Sequence, residues 1–365
     1  MTRLDYAPAP EPADDAFVDD LRARLRATRR IPLIEGVGWD RGTDPGYLAD
    51  LVEYWHQHYD WRSHERRLLS LPWVSTGEAD TALRSIQQTA SGDAATVVLL
   101  HGWPDSFFRF DRVLPLLTDI NVVVPCLPGY PYAHPLTRPG MSAARTAEAV
   151  AVAMQELGYG RYVVSGGDIG SSVAEQLAAA HPDRVSALHL TDIPYTHLFT
   201  VDPTDLTPAE TEYLNAGQGW QFAEGAYALE QATKPHTLAA GLGDSPAGLA
   251  AWIVEKLRSW SDCHGDVESV FPRDELLTWI TLYWVTGTIG TSFSAYAEES
   301  EPITERIDVP AVVSIYPHDL VPAPRAFGER FFDIRAWHEH PDGGHFAAWE
   351  RPEAFVADLR EAVAI

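Results

Sequence analysis

Asp168, Asp319 and His345 are three residues that could make and break bonds together. A carboxylate that attacks an alkyl carbon leaves an ester, which a histidine-activated water can hydrolyse; a serine would leave an ether, which it could not. Asp168 lies in Tyr162-Val163-Val164-Ser165-Gly166-Gly167-Asp168-Ile169-Gly170-Ser171-Ser172-Val173-Ala174. There a β-branched run passes through glycines into an Ala-rich amphipathic segment, which reads as strand, sharp turn and helix. Gly166 and Gly170 flank position 168 in the pattern small-x-nucleophile-x-small, whose tight turn lifts one side chain above the sheet. Asp168 occupies the place where serine is usual. Asp319 follows the run Pro310 to Tyr316, and His345 follows Ile334 to His340 and the pair Gly343-Gly344. Alone, Asp319 reads equally as a helix cap and His345 as a loop residue. The order nucleophile, acid, histidine, each after its own strand, is what favours the joint reading. His101, His318, His338 and His340 are rival bases, but none follows the last strand on a glycine pair.

These side chains need a sheet to position them, and the chain supplies the pattern. Residues 96–101 are a continuous apolar run of the kind expected for a central strand covered on both faces, ending in His101-Gly102-Trp103-Pro104. Asn121 to Pro125 is the next strand, Ser142 to Leu157 a helix, and Val185 to Leu190 another strand, so strands and helices alternate as in a parallel sheet. The alternation stops at Asp192-Ile193-Pro194. Four helices are expected from there, over Pro208 to Gly217, Trp220 to Thr233, Pro246 to Ser259 and Arg273 to Tyr296, before the sheet resumes at Pro310. Such an insertion caps the crevice at the carboxyl ends of the strands. Upstream, Phe17, Leu21 and Leu25 mark a helix over Ala16 to Arg29. Thr43 or Asp44 caps a second, with Leu48, Leu51, Val52 and Trp55 on its buried side. Tyr54, Trp55, Tyr59, Trp61 and Trp73 read as packing, and residues 1–14 as a mobile lead-in.

Composition narrows the partners. The chain has 365 residues, 45% hydrophobic, enough for a large core with an inserted subdomain. Its formal charge of -25 would repel a phosphate backbone, which argues against nucleic acid. Cys126 and Cys263 lie far apart without metal-ligand spacing, which fits two free thiols in a reducing compartment. With no leader-like or membrane-length apolar run, the expected place is the cytoplasm, with no membrane anchor. A homodimer is compatible with the sequence.

Several stretches together resemble the epoxide hydrolases of the microsomal type. They are Gly38-Trp39-Asp40-Arg41-Gly42-Thr43-Asp44, Tyr54-Trp55, Tyr59-Asp60-Trp61-Arg62, His101-Gly102-Trp103-Pro104, Gly166-Gly167-Asp168, Asp244 to Ile253 with Glu255-Lys256, Leu282-Tyr283-Trp284, and Gly343 to Ala348. The resemblance implies an α/β-hydrolase fold: a mostly parallel sheet with helices on both faces, an inserted helical lid, and an N-terminal helical and meandering segment. It divides the chain into residues 1–95 as the N-terminal segment leading into the first strands, 96–194 as the first half of the core, 195–300 as the lid, and 301–365 as the second half. It places two lid tyrosines at Tyr227 and Tyr296, where the sequence alone leaves any of 14 tyrosines eligible. The implied activity is hydrolysis of a small-molecule epoxide to a vicinal diol. Asp168 is then the nucleophile, His345 and Asp319 activate water, the tyrosines donate to the oxirane oxygen, and no metal or organic cofactor takes part. The backbone N–H groups of Trp103 and Ile169 would form the oxyanion hole, and both side chains would line the substrate crevice.

The chain departs from the family pattern in three places. Ile169 stands where tryptophan commonly follows the nucleophile, which implies a reshaped pocket. Asp192 replaces a common asparagine. The strand over Ala82 to Thr89 lacks the expected Gly and His. Two rivals carry distinct signatures: a haloalkane dehalogenase would release halide, and a non-catalytic binding module of this fold would release neither halide nor diol. The composition suggests a bacterial enzyme serving detoxification, catabolism or natural-product tailoring.

Overall fold

The structure, a computed structural model, describes residues 7–34, 36–298 and 300–365. Eight strands form one sheet: β1 (Trp73–Thr76), β2 (Leu83–Gln88), β3 (Thr96–Leu100), β4 (Asn121–Pro125), β5 (Tyr162–Gly166), β6 (Val185–Leu190), β7 (Ile307–Ile315) and β8 (Phe332–Glu339). The spatial order is β1-β2-β4-β3-β5-β6-β7-β8. β1 to β2 and β2 to β4 are antiparallel, and every other pairing is parallel. Every residue of β3 and β5 is buried, so both faces of the sheet centre are covered, as their unbroken apolar runs require. After β3 the chain crosses to β4 on one side and to β5 on the other. The carboxyl ends of β3 and β5 therefore form the switch point where open α/β sheets bind ligands.

Helices precede, interleave with and follow these strands: α1 (Asp15–Arg26), α2 (Pro45–Gln57) and α3 (Trp61–Leu69), then α4 (Ala143–Glu156) and α5 (Ile169–Ala180). Between β6 and β7 come α6 (Pro208–Glu224), α7 (Ala226–Thr233), α8 (Pro235–Leu242), α9 (Pro246–Ser259), α10 (Arg273–Thr286), α11 (Ile289–Ser292) and α12 (Ser294–Ala297). No strand interrupts this insertion among the described residues. The short α13 (Arg325–Gly328) and α14 (Ala347–Glu350) and the terminal α15 (Pro352–Val363) complete the chain.

Starts and stops follow local chemistry. The Asp44 side chain accepts the Tyr47 N–H at 2.8 Å, with Pro45 at the first helical position of α2. Ser245 and Pro246 start α9 in the same way. The expected single helix from Arg273 to Tyr296 is instead broken at Gly287, whose φ of 63° is left-handed. Two further expectations are corrected at the boundaries: α6 runs past Gly217 to Glu224, and α8 is an additional helix between Thr233 and Pro246. α1 ends at Arg26 rather than Arg29 and buries Val18, Leu21 and Leu25 while Phe17 is exposed. Of the expected mobile lead-in, residues 1–6 lie outside the described residues. The remainder is tethered: Pro10 is buried, and the Ala13 N–H donates to Glu65 Oε1 at 2.7 Å.

The N-terminal helices are bonded to the insertion. Thr43 Oγ1 donates to the Ala251 carbonyl at 2.6 Å, Tyr47 to Glu268 at 3.0 Å and Tyr54 to Asp274 at 2.9 Å, while Tyr59 and Thr278 share a buried hydrogen bond of 2.9 Å. Trp55, Trp61 and Trp73 are buried, in keeping with packing roles. Cys126 and Cys263 are both free and buried. No helix among the described residues is long and apolar enough to cross a membrane.

Candidate active site

β5 ends at Gly166, and Asp168 takes φ 57° and ψ -130° before α5 begins at Ile169. A non-glycine residue there is strained, and the strain is paid to aim one side chain. The turn is tight enough to exclude bulk. A Cβ on Gly166 would lie 2.3 Å from the Gly170 carbonyl oxygen, and one on Gly170 the same distance from that of Leu100. At the end of β3, a Cβ on Gly102 would meet Asp168 Oδ1 at 2.2 Å, so the bare backbone of this loop lets the carboxylate approach. The Trp103 N–H then donates to Asp168 Oδ1 at 2.7 Å.

His345 comes to the same place from the loop after β8. Its Nδ1 lies 2.7 Å from Asp319 Oδ1, and since a carboxylate can only accept, Nδ1 carries the proton and Nε2 points onward. Nε2 is buried without a hydrogen-bond partner and stands 3.6 Å from Asp168 Oδ2. A tenth of the Asp168 side chain remains accessible, against 2% for His345. Asp319 also accepts the Leu320 N–H at 2.7 Å, so it orients the imidazole and caps its own loop at once. The rival histidines are occupied elsewhere. His101 Nε2 accepts the Leu127 N–H, His338 and His340 pair with Glu361 and Asp358, and His318 faces Asp262.

Tyr227 on α7 and Tyr296 on α12 close the group. Their ring centroids are 5.9 Å apart at 78°, and the buried Trp103 indole stacks on Tyr227 at 5.3 Å and meets Tyr296 edge-on at 6.0 Å. Burial raises both phenols far above their ordinary range, and the Asp168 charge adds to it, so both carry their protons. Tyr296 Oη is buried with no partner at hydrogen-bond distance. Ile169 is half-buried and packs against the hydrophobic core.

The electrostatics divide the carboxylates from the imidazole. Burial raises the Asp168 pKa, while His345 and the N–H groups of Trp103 and Ile169 pull it back. Burial opposes charging of His345, but Asp319 and Asp168 outweigh it and bring its pKa up to about 9. Asp192, which the sequence marked as a departure without explaining it, lies directly behind Asp168. Its Oδ2 accepts the Asp168 N–H at 3.0 Å, and its Oδ1 is buried without a partner. Burial first, and then the charge of Asp319, push its pKa up to about 7.

Three further residues had no site role assigned from the sequence, although Lys256 belongs to one of the stretches that carry the resemblance. Glu350 accepts the N–H groups of Gly344 and Phe346, on either side of His345. Lys256 places its ammonium 4.9 Å from the Tyr227 ring centre. The Arg109 guanidinium is buried behind His345.

The chain is similar to known proteins along most of its length. Residues 8–110 match the family described as epoxide hydrolase N terminus, and residues 95–262 match the alpha/beta hydrolase fold. A Stigmatella aurantiaca protein whose name carries the words epoxide hydrolase is 37% identical over 357 residues, covering 94% of this chain and 81% of its own. Epoxide hydrolase 1 of Sus scrofa is 30% identical over 390 residues, covering 95% of this chain and 86% of its own. Among solved structures, the Aspergillus niger epoxide hydrolase superposes with a TM-score of 0.85 at 31% identity, covering 98% of this chain and 96% of that one.

Proposed function

The chain belongs to the epoxide hydrolases of the microsomal type, which are hydrolases of ether bonds, and from that premise we propose that it opens an epoxide to a vicinal diol through an ester on Asp168. The reading is carried by two buried groups without partners, Tyr296 Oη and His345 Nε2, both within the field of Asp168. An unpaired buried donor costs about 1–3 kcal/mol, and an oxirane oxygen and a water would relieve one each. Residues 195–300 then act as the lid that brings Tyr227 and Tyr296 over the nucleophile.

The two oxygens of Asp168 take different parts. Oδ1 is held by the Trp103 N–H, so Oδ2 attacks a ring carbon. The carbon–oxygen bond of the ring breaks, and its electron pair stays on the ring oxygen, which receives hydrogen bonds from Tyr227 and Tyr296. His345 enters this step protonated, and the loss of its proton balances the proton gained by the new hydroxyl. Once Asp168 is a neutral ester, one of the charges that held a proton on the imidazole is gone, and His345 is free to act as a base. It takes a proton from water as the water oxygen adds to Asp168 Cγ. The negative charge gathers on Oδ1 at the N–H groups of Trp103 and Ile169, worth about 3–4 kcal/mol per donor in comparable sites. Oδ2 leaves with the diol and takes the second proton of the added water, whose oxygen stays on Cγ, so Asp168 is again a carboxylate and His345 keeps the proton it took. Epoxide and water alone balance the reaction.

One turnover in heavy-oxygen water, with the enzyme in excess, tests the reading. The label is expected in the peptide containing Asp168 and the first diol should be unlabelled. Label in the diol, with none in the protein, would mean direct attack by water and would overturn the ester route.

A further inference from the structure

We infer that the buried Arg109–Asp105 pair is a positioning device for the second half of the reaction, holding the histidine loop and the oxyanion loop at a fixed separation. The inference rests on the ester reading above. Arg109 Nη2 donates to the His345 carbonyl at 2.5 Å, and Nη1 donates to Asp105 Oδ2 at 2.6 Å. Asp105 Oδ1 accepts the Gly102 N–H at 2.8 Å, one residue before the N–H that holds Asp168. The link therefore runs from the backbone of the base, through one guanidinium and one carboxylate, to the oxyanion donor.

Both ends of the link are fixed. The Asp105 carbonyl accepts the Tyr283 hydroxyl at 2.7 Å, and the Pro104 carbonyl accepts the Trp279 indole N–H at 2.9 Å, so α10 clamps the loop. On the other side the His345 N–H donates to the Trp260 carbonyl at 2.8 Å. A Cβ on Gly167 would stand 3.4 Å from Arg109 Nη2, so the guanidinium also rests against the elbow beside the nucleophile. Arg109 is 2% exposed and Asp105 is fully buried. A planar fork that donates in two directions suits such a bridge better than a point charge does.

The two chemical steps use this link unequally. Ring opening needs Asp168, the two phenols and the proton of His345, but not a base and the Trp103 donor held at a fixed separation. Ester hydrolysis needs the water on His345 Nε2 and the charge on Oδ1 to be served at once, one by the histidine loop and the other by the Trp103 N–H. Loosening the link falls on hydrolysis. Arg109 also acts as a charge: it opposes protonation of His345, which Asp319 and Asp168 favour, while Asp192 and Glu350 lie within the field of the same imidazole. Removing the guanidinium should therefore move the acid limb of ester hydrolysis to higher pH.

The test separates the two steps by single-turnover measurement of ester formation and ester decay in Asp105→Asn/Arg109→Gln, which removes both charges and leaves no ion unpaired. Ester formation is expected within about threefold of wild type, decay slowed roughly 30-fold or more with ester accumulating, and the acid limb of decay displaced upward. Arg109→Lys keeps the charge but loses the fork; it should leave the limb in place and slow decay by about tenfold. If the double variant does not fold, Arg109→Lys decides alone, by whether decay slows more than formation. Equal loss at both steps, or wild-type rates with an unmoved limb, overturns the inference. Failure to trap any ester in the wild type would instead count against the reading of Asp168.

Discussion

Asp192 keeps one carboxylate oxygen on the Asp168 N–H and buries the other without a partner, close to Asp319 and Asp168. A neutral acid tolerates that place better than an anion. With its folded pKa pushed up to about 7 against an unfolded value of about 3.9, the native state holds a proton that the unfolded chain has already lost. The stabilisation this proton provides is complete below about pH 4 and is lost as the pH rises through about 7. Asparagine keeps the acceptor and has no charge to lose. Asp192→Asn should therefore match the wild type near pH 4 and gain on it up to about pH 7, exceeding it by as much as about 4 kcal/mol at pH 8. Urea midpoints at the two pH values check this, and a gap that does not widen would show that Asp192 is not held neutral. The phenols make a second prediction at this scale. Since either can still donate when the other is removed, Tyr227→Phe and Tyr296→Phe should each slow ring opening by about 100-fold, and the pair together by far more. Ester decay should hardly change. Equal slowing of both steps would place the tyrosines outside ring opening.

At the scale of elements, the elbow and the end of β3 are fitted backbone to backbone. A methyl group at position 170 meets the Leu100 carbonyl, which no side-chain rotation can relieve. Gly170→Ala is expected to cost about 1–3 kcal/mol by overpacking and to cut activity by prising Asp168 from the Trp103 N–H. Wild-type activity together with an unchanged denaturation midpoint would mean that the turn has slack. The elbow could be read from the sequence because glycines, a β-branched run and an Ala-rich helix sit in register. α9 was legible to the residue because Ser245-Pro246 begins it. The break at Gly287 was not. From Leu276 to Trp284 every residue is buried, so the apolar pattern has no polar face whose loss would mark an end. β1, four residues at the sheet edge, is too short to show alternation. Arg109 was invisible for a different reason. Nothing in Phe-Phe-Arg-Phe says that the guanidinium is buried, and its partner His345 lies 236 positions away.

Across the whole molecule, chemistry is collected from distant parts of the chain. β3 supplies an N–H, β5 a carboxylate, the loops after β7 and β8 the acid and the base, and the insertion two phenols. The insertion is itself tied to the first sixty residues through Thr43, Tyr47, Tyr54 and Tyr59. This joinery gives the unequal grip on the two oxygens of Asp168 a consequence that intact-protein mass can register. On the proposed ester route one atom would be handed to the product and replaced from solvent in every cycle, while its twin is held by the backbone N–H of Trp103. If the pin never releases, protein cycled many times in heavy-oxygen water should gain a single isotopic atom and then stop. A second atom appearing with further cycles would reveal that the carboxylate turns over in its seat between one substrate and the next. The side chain, on this view, is a part rebuilt from the surrounding water on one side only.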